Sequence, residues 1–174
     1  MKILACMLAV TCFLCAQAAF ADEFEGVTCG ADIPKALIGK RSSNGPVAAL
    51  EKKYGALGLK DLGGDEISGG LSSVNMLICD AEYIELIDRR GQVRDALPLP
   101  PHSKATPAFS GTCRINGKDR PDIIVAILDG AVTADLLPVK TAWKIDQKQA
   151  KFVPIPGDGL LCPRSGIYTV DGGR

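Results

Sequence analysis

Four widely spaced cysteines constrain this fold more than any other feature of the sequence. The leader carries the other three of the seven cysteines, and the four that follow it are Cys29, Cys79, Cys113 and Cys162. An even number of cysteines in an exported domain indicates two disulfides. A bridge across a loop of tens of residues stabilises a fold by about 4 kcal/mol in the loop-entropy model. The spacing does not choose among the alternative pairings.

The N-terminal segment predicts export. Lys2 precedes a nearly continuous apolar run over residues 3–15. That run is shorter than the roughly 20 residues of a membrane-spanning helix. Ala19 and Ala21 supply the small side chains that a signal peptidase recognises, and acidic residues follow them. We predict a signal peptide over residues 1–21, with cleavage after Ala18 as the alternative. Residues 22–174 then form a single globular domain with a short flexible C-terminal tail, periplasmic or secreted.

Charge and composition exclude several classes of function. The chain holds 20 basic and 20 acidic residues, and of these only Lys2 lies in the leader. This balance provides neither a basic surface for nucleic acid nor a polybasic patch for a membrane. Zinc is not expected either, because the four cysteines form no close chelating pair and His102 is the only histidine. We predict no cofactor, no nucleic-acid partner and no membrane association once the leader is removed.

The spacing of apolar residues predicts an α+β domain. Helical patterns cover residues 33–38, after the capping residue Asp32, and residues 46–54, with Val47, Leu50 and Tyr54 on one apolar stripe. From Leu71 onward, strand patterns cover residues 74–79, 83–88, 92–97, 123–128, 141–146 and 150–155. We therefore predict a mostly antiparallel sheet, a meander of hairpins, with one or two short N-terminal helices and disulfide stabilisation.

Three other segments are expected to form turns and connections. The pair Asn116-Gly117 predicts a tight hairpin. Residues 97–107 are proline-rich, so they predict a connector over the surface. The C-terminal residues are held by Cys162 and are expected to fray beyond it.

A glycine-rich stretch raises the question of a nucleotide enzyme. Residues 63–66, Gly-Gly-Asp-Glu, are similar to part of the signature of the diguanylate cyclases, but Ile67 stands where that family has phenylalanine. We find no strand pattern leading into the stretch, and an exported chain meets no useful pool of GTP. We interpret these residues as a turn that bears solvated acids.

The candidate catalytic side chains are a single histidine and a group of acids. His102 lies beside Ser103, and adjacent residues rarely form a nucleophile–base pair, so we expect a solvated loop histidine whose replacement by alanine leaves folding intact. Acidic residues cluster around one predicted strand, and we interpret them as an exposed strand face with charged ends: Asp80, Glu82, Glu85 and Asp88. The alternative is an envelope or secreted hydrolase whose carboxylates converge only in three dimensions. Trp143 is expected in the core of a hairpin.

The most specific local feature follows the last cysteine. In the stretch of residues 162–166, Cys-Pro-Arg-Ser-Gly, a tethered and stiffened backbone presents Arg164 and Ser165. Such pre-ordered loops bind protein partners at a low entropy cost, as inhibitors of trypsin-like proteases do. Arg164 and Ser165 are therefore the candidate partner contacts. We predict a non-enzymatic binding or inhibitor-like module for a protein or an envelope component. The sequence does not fix its oligomeric state.

Overall fold

The computed structural model describes residues 23–43 and 45–169. The predicted leader and residues 170–174 lie outside these ranges. Two α-helices are formed, α1 (Ile33–Leu37) and α2 (Val47–Lys53), with short 3-10 helices at Gly55–Leu57 and Arg164–Gly166. The strands are β1 (Lys60–Ile67), β2 (Leu71–Ile78), β3 (Ala81–Asp88), β4 (Val93–Pro98), β5 (Ala108–Gly111), β6 (Arg114–Ile115), β7 (Lys118–Asp119), β8 (Ile124–Leu128), β9 (Leu136–Asp146), β10 (Lys151–Ile155), β11 (Leu160–Pro163) and β12 (Ile167–Tyr168). The predicted α+β fold, rich in antiparallel sheet, is confirmed.

The first sheet is a meander with the strand order β1-β2-β3-β4. Cys79 and Asp80 connect β2 to β3 with φ values of 53° and 62°, a two-residue turn whose left-handed backbone matches the twist of the strands. The prediction that strands begin at Leu71 was wrong, because Lys60–Ile67 already forms β1. Gly63–Glu66 therefore lies in an edge strand next to a register shift, and the turn is the following segment, residues 68–70.

The second sheet is not a simple meander. Its strand order is β12-β5-β8-β9-β11-β6-β7, and β10 also pairs with β9. Strand β9 is longer than predicted because it begins at Leu136; its first part pairs with β11 and its second part with β10. The chain also continues in regular structure past Cys162, through the 3-10 helix Arg164–Gly166 and β12.

The apolar residues form three buried clusters in layers. The first cluster lies between the N-terminal segment with α1 and one face of the first sheet, and it includes Phe24, Leu37, Tyr83 and Ile87. The second lies between the two sheets and includes Ile84, Leu86, Val125 and Ile145. The third lies on the other face of the second sheet and includes Phe109, Ile124, Leu137 and Leu160. Strands β3 and β8 are consequently covered on both faces.

The two helices differ in how they are held. Asp32 caps α1 by accepting a hydrogen bond from the Lys35 backbone nitrogen at 3.1 Å, and Ile33 and Leu37 are buried. Leu50 of α2 and Tyr54, the residue directly after it, pack against the first cluster, whereas Val47 is 45% exposed, so the predicted apolar stripe is only partly buried. Neither these helices nor any other helix in the described ranges has the length and apolar character needed to span a bilayer.

Two disulfides are formed, Cys29–Cys79 and Cys113–Cys162, with Cα–Cα distances of 5.5 and 4.4 Å. The structure thus confirms the predicted number of bridges and resolves their pairing. The first bridge ties the N-terminal segment to the turn between β2 and β3. The second lies in the third apolar cluster. Disulfides of this kind indicate an oxidising, extracytoplasmic environment.

Candidate functional site

A groove of about 740 Å³ opens beside the Cys113–Cys162 disulfide. Both predicted contact residues line it. Six of the eight residues that line it are polar or charged: Thr112, Arg114, Asp119, Asp135, Arg164 and Ser165. We call this surface the arginine groove.

One disulfide positions both arginines of the groove. Arg114 directly follows Cys113, and Arg164 lies two residues after Cys162. The two cysteines are buried, so the disulfide between them anchors the backbone on each side of the groove to the interior. The 3-10 helix that contains Arg164 is also packed closely on β5, because a Cβ atom at Gly166 would lie only 2.6 Å from the ring of Phe109. The groove therefore has a rigid floor.

Hydrogen bonds to the backbone hold the Arg164 side chain. Its Nε donates to the carbonyl of Ala134 at 2.9 Å, and its Nη2 donates to the carbonyl of Val132. The backbone nitrogen of Arg164 donates to the carbonyl of Asp135 at 2.8 Å. Among the described residues, no carboxylate lies within ion-pair distance of this guanidinium. Arg164 is thus a fixed cation whose partners are neutral.

Arg114 is held differently. The Asn116-Gly117 turn, with φ values of 51° and 75°, confirms the predicted hairpin and brings β7 back beside β6. Arg114 Nε donates to Asp119 Oδ1 at 2.6 Å across this pair, and both side chains are largely exposed. Sequence reasoning missed Arg114 and Asp119. Two features of the sequence could have indicated them. Arg114 directly follows a cysteine, and the short hairpin places Asp119 opposite Arg114.

The structure corrects the prediction for His102. Its side chain is only 2% exposed, and Nε2 lies 3.2 Å from Oε2 of Glu82, which is 3% exposed. Nδ1 lies 3.2 Å from the carbonyl oxygen of Pro100, and it donates there because a carbonyl can only accept. The expectation of a solvated histidine was wrong because the connector turns inward: Leu99 donates its backbone N–H to the carbonyl of Glu82 at 2.9 Å.

Tyr168 joins this buried pair from the C-terminal strand. Its ring meets that of His102 edge to face, with centroids 6.0 Å apart. Burial, followed by the charge of Glu82, raises the pKa of Tyr168 above its ordinary value of 10.0, although the side chain of Asn75 opposes the rise. We call Asn75, Glu82, His102 and Tyr168 the polar cluster. It joins β2, β3, the connector and β12 in the interior, so its role in this conformation is to hold these elements together.

The acids around β3 are not an exposed face, which corrects a second prediction. Glu82 and Glu85 are both buried, and they lie on opposite faces because side chains alternate along a strand. Burial, and then the charges of Glu23 and Asp61, raise the pKa of Glu85 to about 8. Asp80 is exposed in the turn, and Asp88 accepts hydrogen bonds from the backbone of Arg90 and Gln92. The carboxylates of β3 therefore do not converge on one cleft.

Trp143 packs against the second apolar cluster as part of the β9–β10 hairpin. In the described part of the chain, no group of three or more histidine, cysteine or acidic side chains is arranged to hold a metal ion. No known protein-family model matches this chain, and no curated protein or solved structure shows significant similarity to it.

Proposed function

We propose that this protein is a small non-enzymatic binding module, exported to the periplasm or outside the cell after cleavage of its signal peptide. It binds a protein partner, free or part of the cell envelope, through the arginine groove. The observation that carries this proposal is the fixed guanidinium of Arg164, held by two backbone carbonyls beside a buried disulfide.

Rigidity supports binding because a surface ordered in advance loses little conformational entropy when a partner docks. Composition supports a protein partner in particular. Arginine is enriched in protein interfaces, and the groove carries hydroxyl groups and charges of both signs. A pocket for an apolar small molecule would be lined mainly by hydrophobic side chains.

The geometry favours a groove that receives a partner over an arginine that enters a partner's pocket. An inhibitor of a trypsin-like protease must extend its basic side chain away from the loop. Arg164 instead lies against the carbonyls of residues 132 and 134. An inhibitor whose Arg164 enters the pocket of a protease therefore stays an alternative, and we propose that the partner binds in the groove.

Capture of a partner with two matched variants tests the proposal. Arg114 and Arg94 each form an ion pair with one aspartate and have side chains 49% and 45% exposed, but only Arg114 lines the groove. The mature, oxidised protein is used to capture proteins from its own envelope extract, which are identified by mass spectrometry. We expect Arg114→Glu to lose a partner that the wild type and Arg94→Glu both retain.

The proposal fails if Arg114→Glu retains every captured protein, or if both variants lose the same ones. Far-UV circular dichroism and the intact mass confirm that both variants are folded and oxidised before the comparison is made.

A further inference from the structure

We propose that the group recognised in the arginine groove is a carboxylate of the partner and that Arg164 binds it. This inference rests on the proposed function, and it names the chemistry of the contact. The source of the carboxylate is an acidic side chain or a chain terminus.

The free donors of Arg164 define the chemistry. A guanidinium carries five N–H groups in a plane. The carbonyls of Ala134 and Val132 occupy the edge formed by Nε and one N–H of Nη2. The hydrogen bonds of Arg164 within the described residues leave the two N–H groups of Nη1 and the second N–H of Nη2. One N–H of each of these nitrogens forms the end of the fork. That end matches the two oxygens of a carboxylate in a bidentate contact.

The charge of Arg164 is available to such a ligand. Arg164 has no ion-pair partner among the described residues, whereas the acid of the hairpin, Asp119, is already paired with Arg114. The carbonyls that hold Arg164 are neutral, so they fix its position without cancelling its charge. A partner's carboxylate therefore replaces solvent at a cation that needs no rearrangement.

The acids of the groove favour a carboxylate over a phosphate. Asp119 and Asp135 both line the groove with the two arginines, so the four charges nearly balance. A doubly charged phosphate would meet more repulsion from Asp135 than a singly charged carboxylate does. The hydroxyl groups of Thr112 and Ser165 also line the groove and offer further donors to a planar anion.

Small probes test the chemistry without a known partner. The mature, oxidised protein is titrated at constant ionic strength with N-acetylglutamate α-amide, with N-acetylglycine and with N-acetylglutamine α-amide. The first carries a side-chain carboxylate, the second a terminal carboxylate, and the third is neutral. The readout is the NMR signal of the Arg164 Nε–H, which the hydrogen bond to Ala134 protects from exchange, together with the backbone amides of Thr112 and Ser165.

We expect saturable shifts at these signals with at least one carboxylate probe and at least tenfold weaker binding of the neutral probe. The carboxylate probe that binds more tightly shows whether the partner's carboxylate belongs to a side chain or to a chain terminus. Arg164→Lys retains the charge but not the fork, so we expect the shifts at residues 112 and 165 to need at least tenfold more probe. If that variant does not fold, the comparison of glutamate with glutamine still decides.

The inference is overturned if the neutral probe binds equally, or if the carboxylates shift signals elsewhere and leave the groove unchanged. This failure differs from failure of the proposed function. A partner that depends on Arg114 while no carboxylate binds the groove leaves the function standing and removes the inference. If carboxylates bind the groove but no captured partner depends on it, the inference about the carboxylate stands and the proposed function fails.

Discussion

At the scale of single residues, Glu85 is the clearest departure from ordinary behaviour. Its side chain is fully buried on the face of β3 that meets the first apolar cluster, and its pKa is raised to about 8. Burial disfavours the charged form, and the nearby acids Glu23 and Asp61 add to the effect. The folded protein therefore retains a proton that the unfolded chain has already lost at neutral pH.

This proton makes stability depend on pH. A folded pKa above the unfolded value gives stability that is complete below about pH 4.5 and is lost as the pH rises to about 8. We expect Glu85→Gln, which is neutral and of similar shape, to abolish this loss. Between about pH 5 and 8 the variant should gain on the wild type by up to about 1.4 kcal/mol per pH unit.

Urea unfolding at a series of pH values measures this difference, and Glu66→Gln serves as the control because Glu66 is exposed on β1. A constant difference between Glu85→Gln and the wild type across that range would show that Glu85 is ionised in the folded protein. The control should follow the wild type throughout.

At the scale of elements, the polar cluster explains how an irregular connector is fixed. Residues 99–107 carry little regular structure, yet His102 reaches Glu82 of β3 and contacts Tyr168 of β12. The isolated bridge between Ser103 and Thr106 closes a small loop beyond it. The connector is therefore anchored to both sheets by these side chains and by backbone hydrogen bonds at its two ends.

Removing His102 or Glu82 leaves the other side chain buried without the polar atom that lies 3.2 Å from it, and the loss of a partner by a buried polar group typically costs about 1–3 kcal/mol. We expect His102→Ala and Glu82→Gln each to lower the free energy of unfolding. The double variant should lose less than the sum of the two, because the contact between the two side chains can be lost only once. The measurement is a double-mutant cycle by urea unfolding. Strictly additive losses would show that the two side chains do not act as a pair.

The elements that sequence patterns predicted well are those with a local signal. Residues 123–128 form an apolar run and become β8, which is buried throughout, and the Asn116-Gly117 pair gives the expected hairpin. Strand β1 was missed because its glycines and acids carry no apolar alternation; it forms by pairing with β2 and by the bond from the Asp61 N–H to Glu51. Tertiary pairing overrode local propensity there.

The buried charges were missed for a different reason. Glu82 and Glu85 looked like surface residues because acids in strands usually face water. Their burial depends on what covers the first sheet, with helices on one face and a second sheet on the other, and no local pattern records that. Only part of the candidate site was predicted. The position of Arg164 and Ser165 after Cys162 indicated them as contacts, whereas Arg114 joins the site only through the Cys113–Cys162 disulfide, whose pairing the sequence did not predict.

At the scale of the whole molecule, the two disulfides have similar loops and different surroundings. They span 50 and 49 residues, so the chain-entropy contribution of each is about 4 kcal/mol. Cys113 and Cys162 are buried within the third cluster, whereas Cys29 is exposed at the first bridge. Any difference in their behaviour must therefore come from burial rather than from loop length.

We expect a dithiol reductant to open the Cys29–Cys79 bridge first in the folded protein, because a thiolate must reach a sulfur atom before exchange can occur. Timed alkylation followed by peptide mass spectrometry gives the order of reduction. Replacing Cys29 and Cys79 by alanine should leave the groove intact, whereas replacing Cys113 and Cys162 should disturb it and also remove packing from the third cluster. Equal reduction rates in the folded protein would mean that global unfolding governs access to both bridges. Earlier opening of Cys113–Cys162 would mean that the backbone beneath the groove opens locally, so the groove would lack the rigidity that the proposed function requires.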